Sequence, residues 1–284
     1  MPNHPIAILC DSTCDIPQEL VERHAIRVIP QYIIWDNQIY LDRVTLQPQE
    51  FYQRMETQAS RPSSSLVTVA DFVQAYQAAL DDGAQELMVL TVSSAMSGTY
   101  QNALQAAQQV QAPVHVVDAR GPTMSLGWQA LAAARARDAG ADMTGMLAQT
   151  AHVRKSLTQL VGMESIEYLQ RGGRIGNAAK WVGNLLHVRP LVVINHQTGL
   201  VDPLGLARTH RGLVDLLYQK FFSLLPAGER HIAVLHGNVP DEAQALAERI
   251  QAEHHPAELL VNITGPVLGI NTGPRALALC GYCE

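Results

Sequence analysis

The run Glu86-Leu87-Met88-Val89-Leu90-Thr91-Val92-Ser93-Ser94-Ala95-Met96-Ser97-Gly98-Thr99 carries the fold class in its order: an apolar strand, then a turn crowded with hydroxyls. The same grammar occurs at the start of the chain, where a strand predicted at Ile6–Cys10 runs into Asp11-Ser12-Thr13. Further strands are predicted at Arg27–Tyr32 and Val114–Asp118, with amphipathic stretches between them. Short apolar runs alternating with helical patterns predict a parallel sheet covered by helices on its faces. The helix signals agree. Pro17 suits a helix start, Thr68-Val69-Ala70-Asp71 reads as a capping box with Asp in place of Glu, and Gly83 suits the stop of the helix that follows.

Beyond the Gly121-Pro122 turn the pattern changes. A long Ala-rich helix runs to about Gly140 and another begins near Met143. Strands at Pro190–Asn195 and Leu200–Leu206 flank His196-Gln197-Thr198-Gly199, a polar turn that reads as a hairpin. His231–His236 is a further strand, Pro240 opens a helix with Asp241 and Glu242 in its first turn, and Glu258–Ile263 is the last clear strand before a Gly-rich ending. A length of 284 residues suits two domains. The expectation is two α/β domains, residues 1–155 with a mainly parallel sheet and residues 156–284 with a mixed one, and a ligand between them.

Composition excludes several classes. With 47% hydrophobic and 16% charged residues, both halves can bury a core. A net charge of −6 without any Lys/Arg block argues against nucleic acid as a partner. The opening MPNHPIAILC lacks a signal-peptide pattern and no apolar run approaches the roughly 20 residues that span a bilayer, so a cytoplasmic address without membrane insertion is expected. Cys10 with Cys14 and Cys280 with Cys283 could supply four thiolates to zinc, but Cys10 ends an apolar strand and reads as a small core residue. Neither metal nor cofactor is expected.

The hydroxyl-rich turns are where chemistry is expected. In an open α/β sheet ligands bind beyond the carboxyl ends of strands, and helix N-termini favour anions. Asp11-Ser12-Thr13, Ser63-Ser64-Ser65 and Ser93 to Thr99 all fall at such places, and a carboxylate or phosphate fits them. Many of these hydroxyls read equally well as helix caps and turn formers. There is no G-x-S-x-G elbow, no phosphate loop, no G-x-G-x-x-G after the first strand and no H-E-x-x-H helix.

Four segments in order resemble the DegV family of fatty-acid-binding proteins. They are Ile8-Leu9-Cys10-Asp11-Ser12-Thr13-Cys14-Asp15-Ile16-Pro17, Ser93 through Gln101, Tyr168-Leu169-Gln170-Arg171-Gly172-Gly173-Arg174-Ile175, and Ala207-Arg208-Thr209. The resemblance implies a lipid carrier with a long-chain fatty acid between the domains and a separate ATP-dependent kinase that phosphorylates the presented carboxylate. It places Ser64, Ser94 and Arg208 at the carboxylate, with Ser97, Gly98, Thr99 and Asn271 in the head-group neighbourhood. Two departures stand out. Leu66 and Val67 replace the Gln-Pro of the family's T-S-Q-P segment, and Asn271 and Arg275 replace a histidine and a glycine of its T-H-x-G-P-G segment. The competing expectation is a stand-alone acyl or phosphoryl transferase using Arg174, Arg208 and His236.

Overall fold

The structure is a computed structural model that describes residues 4–181 and 188–284. The first half comprises β1 (Ile6–Asp11), α1 (Gln18–Arg23), β2 (Ile26–Ile29), β3 (Tyr32–Trp35), β4 (Gln38–Leu41), α2 (Pro48–Thr57), β5 (Ser63–Ser65), α3 (Val69–Asp81), β6 (Glu86–Thr91), α4 (Thr99–Ala107) and β7 (Val114–Asp118). Helices α5 (Met124–Asp138) and α6 (Met143–Ser156) follow. The second half comprises β8 (Thr158–Gly162), α7 (Glu167–Gly172), β9 (Arg189–Asn195), β10 (Leu200–Ala207), α8 (His210–Leu224), β11 (Arg230–His236), α9 (Pro240–His254), β12 (Glu258–Ile263), α10 (Pro266–Thr272) and β13 (Leu277–Cys283).

The first sheet is wholly parallel in the order β2-β1-β6-β7. Side chains alternate across a strand, so β1 feeds two cores. Ala7 and Leu9 join Leu87 and Val89 against Phe72, Tyr76 and Ala103 of α3 and α4, whereas Ile6, Ile8 and Cys10 pack with Leu126, Ala130 and Ala134 of α5. The capping box forms as expected: the Asp71 backbone N–H donates to the Thr68 hydroxyl (3.2 Å) and the Thr68 N–H donates to the Asp71 carboxylate (2.9 Å).

The second sheet is mixed, in the order β10-β9-β8-β13-β11-β12, with only the β11–β12 pair parallel. One face, carrying Leu160, Leu191 and Leu279, is covered by Leu213, Leu217 and Phe221 of α8 and by Leu246 and Ile250 of α9. The opposite face, carrying Val161, Val192, Ile194 and Cys280, shares a cluster with α5, α6 and the inner side of β1. Helix α5 is therefore wedged between the two sheets, which is why most of its residues are buried and it is rich in small alanines. The halves share this core.

Several features differ from the sequence expectation, among them β8, where no strand is predicted. The strand expected over Arg27–Tyr32 is split at Pro30, which has no N–H to donate to a ladder, so β2 stops at Ile29. The chain then enters a separate antiparallel sheet, β4-β3-β5, whose Asp36-Asn37 turn has positive φ at both residues, as a tight hairpin requires. Finally, Leu277–Cys283 forms a central strand of the second sheet. All seven of its residues are buried, so no alternation marks it.

Candidate functional site

Alternation also builds a cavity between the two main sheets. Gln159, Val161 and Met163 project from one face of β8 and just beyond it, Val192 and Ile194 from β9, and Val201 from β10. Opposite them stand Val92, Met96 and Ser97 beyond β6, Thr13 beyond β1, and Gln31. Leu169 of α7 and Val267 and Leu268 of α10 complete a mainly apolar wall. The chamber encloses about 730 Å³ of empty space, its open mouth included.

The mouth is polar and basic. Ser64, Arg174 and Asn271 line both the chamber and an adjoining depression that also holds Arg61 and Arg171. Arg174 is oriented by the backbone: its Nε donates to the Met96 carbonyl (3.0 Å) and its Nη1 to the Gly172 carbonyl (2.5 Å). The Ser97 hydroxyl is paired with the Thr99 hydroxyl at 2.9 Å. Asn271 donates through Nδ2 to the Val267 carbonyl (2.9 Å), and its Oδ1 is buried without a partner among the described residues. A Cβ at position 172 would collide with that oxygen, so Gly172 lets Asn271 approach.

Of the expected head-group residues, the fold brings Ser64, Ser97 and Asn271 together at the chamber. Ser94 is not among the lining residues. It is exposed, and its hydroxyl and backbone N–H both donate to Asp118 at the end of β7 (2.6 and 3.2 Å), so it serves the turn. Its neighbour Ser93 points the other way and donates to the Gly199 carbonyl of the β9–β10 turn (2.8 Å), joining the halves. Gly98 caps α4 against Leu66, and Thr99 is buried behind Ser97. Arg208 is exposed beyond β10, where its carbonyl accepts from Arg189 (3.1 Å). Among the described residues, the basic side chain that lines the chamber is that of Arg174. His236 accepts from the Val239 N–H (3.2 Å) and closes the turn after β11.

Thr13 belongs to one of the hydroxyl-rich turns expected to meet an anion, whereas Gln31, Thr123 and Gln159 are not among the residues the sequence singles out. The strand-period spacing of Gln159, Val161 and Met163 is the one signal that marks any of them. Asp11 explains how the loops are held. Its buried carboxylate accepts from the backbone N–H groups of Thr13 (3.0 Å) and Val92 (2.7 Å) and from the Gln31 amide (3.2 Å), fastening the carboxyl ends of β1 and β6 to the segment after β2. Burial raises the pKa of Asp11 even though these bonds oppose the shift.

A second buried cluster anchors α10. Arg43 donates to the Asp15 carboxylate (2.5 Å) and to the Ile263 carbonyl (2.7 Å), the Gly265 N–H donates to Asp15 (2.9 Å), and Ser12 donates to Asp42 (2.6 Å). The cysteines take separate roles: Cys10 lies beside Cys14, Cys280 contacts Ser125, and Cys283 meets the Pro226 carbonyl. Among the described residues no group of three or more His, Cys, Asp or Glu is arranged to hold a metal ion. No helix among them is long and apolar enough to cross a membrane.

Fold and cavity define a two-lobed α/β protein with an apolar chamber between the lobes and a basic mouth. The model of the family described as "Uncharacterised protein, DegV family COG1307" matches residues 5–284, and the chain belongs to the DegV family. A DegV domain-containing protein of Streptomyces coelicolor is 30% identical over 280 residues, covering 96% of this chain and 97% of its own. A DegV family protein from Thermus thermophilus, described as fatty acid binding, superposes with a TM-score of 0.91 at 29% identity over 98% of this chain and 99% of its own. DegV of Bacillus subtilis, described as a fatty acid binding protein, gives 0.89 at 25% identity, covering 99% of this chain and 100% of its own.

Proposed function

We propose that this chain binds one long-chain fatty acid in the chamber, with the carboxylate at the mouth, and presents that carboxylate to a separate ATP-dependent kinase. The observation that carries the binding is the junction of an apolar chamber with a mouth holding Ser64, Ser97, Arg174 and Asn271. Burying about ten methylenes at about 0.8 kcal/mol each supplies on the order of 8 kcal/mol before the costs of association. Arg174 and the two hydroxyls supply charge-assisted hydrogen bonds to the carboxylate, so the head group is not buried unpaired.

Asn271 in place of the family histidine is compatible with presentation to a kinase. A free carboxylic acid is already ionised at neutral pH, so its oxygen can attack a phosphoryl group without a base to remove a proton. An amide at this position can position the carboxylate, and proton shuttling is not required of it.

The test is displacement of a fluorescent fatty acid from delipidated protein. Arg174→Ala and Ser97→Ala are each expected to weaken binding roughly tenfold or more, as loss of a hydrogen bond to a charged group does. Ser94→Ala is expected to bind like the wild type. The opposite order, with Ser94→Ala damaging and Ser97→Ala silent, contradicts the head-group assignment.

A further inference from the structure

The chamber has a second polar region, away from the mouth. Along β8 the lining residues run Gln159, Val161, Met163, and from Met163 the chain continues into α7 and on to Arg174 at the mouth. Four residues at the rise of a strand separate Gln159 from Met163 by about 13 Å along the chain. Gln159 is fully buried and Thr123 nearly so, and both line the chamber. An acyl chain with only methylenes there would lie against an amide and a hydroxyl.

Hydrogen-bond accounting shows spare capacity. The Gln159 amide meets the Thr123 hydroxyl at 2.8 Å on one side and the Ser125 hydroxyl on the other, and Ser125 in turn pairs with His196 Nε2 at 2.7 Å. Whichever way the amide is turned, only one of its two N–H groups is used by these partners, and the Thr123 oxygen keeps either a proton or a lone pair unspent. Ser125 and His196 lie behind this pair and hold it in place. Thr123 itself, the residue that precedes α5, has φ 55° and ψ −138°, a conformation disfavoured for a β-branched residue.

We infer that the ligand carries an oxygen substituent, a hydroxyl or oxo group, on its chain remote from the carboxylate, and that Gln159 and Thr123 are the residues that bind it. This rests on the fatty-acid reading above and specifies its substrate class. A site with buried hydrogen-bonding groups discriminates against an analogue that leaves them unpaired.

The experiment titrates delipidated full-length protein with stearic acid and with a set of hydroxystearic acids whose hydroxyl is stepped along the chain, each read by displacement of the same fluorescent fatty acid. At least one hydroxy acid is expected to bind roughly tenfold tighter than stearic acid. Gln159→Met is expected to abolish that preference, bringing the hydroxy acids level with stearic acid. If stearic acid binds and no hydroxy acid surpasses it, the inference is overturned and the fatty-acid reading stands. If none of the acids displaces the probe, both fall. The wild-type comparison decides the matter even if Gln159→Met does not fold.

Discussion

Two buried polar clusters join the halves of this molecule, and they are built on different electrostatics. At the base of α10, Asp15 and Asp42 share one guanidinium, Arg43. At the start of α5, Thr123, Gln159, Ser125 and His196 form a chain of neutral groups. Two carboxylates with one cation cannot both be cheaply ionised, and burial pushes Asp42 up to about 7. Burial, aided by the charge of Arg154, pushes His196 down to about 4 and keeps the imidazole neutral. The first cluster thus anchors the mouth-bearing helix with charge, and the second positions chamber-lining groups without it.

The largest expected effect separates the clusters by charge. Arg43→Met leaves Asp15 buried without its cation, and since the Arg43 side chain is 24% exposed the lower end of the usual cost applies, about 3 kcal/mol by urea unfolding. A loss under about 1 kcal/mol would mean that the ion pair does not hold α10.

Acid should then act on the two clusters in opposite directions. The folded pKa of Asp42 lies above its ordinary 3.8, so the folded state binds the extra proton between about pH 4 and 7, and acidification through that window adds stability. The folded pKa of His196 lies below its ordinary 6.5, so the unfolded state binds the extra proton between about pH 6.5 and 4, and acidification removes stability. Relative to the wild type, Asp42→Asn should lose the stabilising slope and His196→Gln the destabilising one. Parallel pH profiles for the two variants would refute the contrast.

The smallest effect sets the scale. Thr209 lies outside both clusters and caps α8 by accepting from the Gly212 N–H (3.0 Å). Thr209→Ala should cost about 1 kcal/mol with little pH dependence over this range.

The parallel sheet and the β9–β10 hairpin were legible in the sequence because apolar runs, turn residues and caps agree there. β8 and β13 were not, since strands buried on both faces show no alternation, and polar or small residues (Gln159 and Gly162; Ala278, Cys280 and Gly281) interrupt their apolar runs. At the site, the turn from Ser93 to Thr99 was visible as a unit, but which hydroxyl faces the chamber depends on partners far away in sequence. Asp118 takes Ser94, Gly199 takes Ser93, and Ser97 is left to face inward. Arg174 was visible in its glycine-rich segment, although only the fold sets it at the mouth.

The most direct test of the central claim is to denature the purified protein and weigh its organic extract by mass spectrometry against protein. One fatty acid per chain, reduced in Arg174→Ala, is the expected result. A wild-type extract free of fatty acid, and still free after incubation with a fatty-acid mixture, would contradict the account.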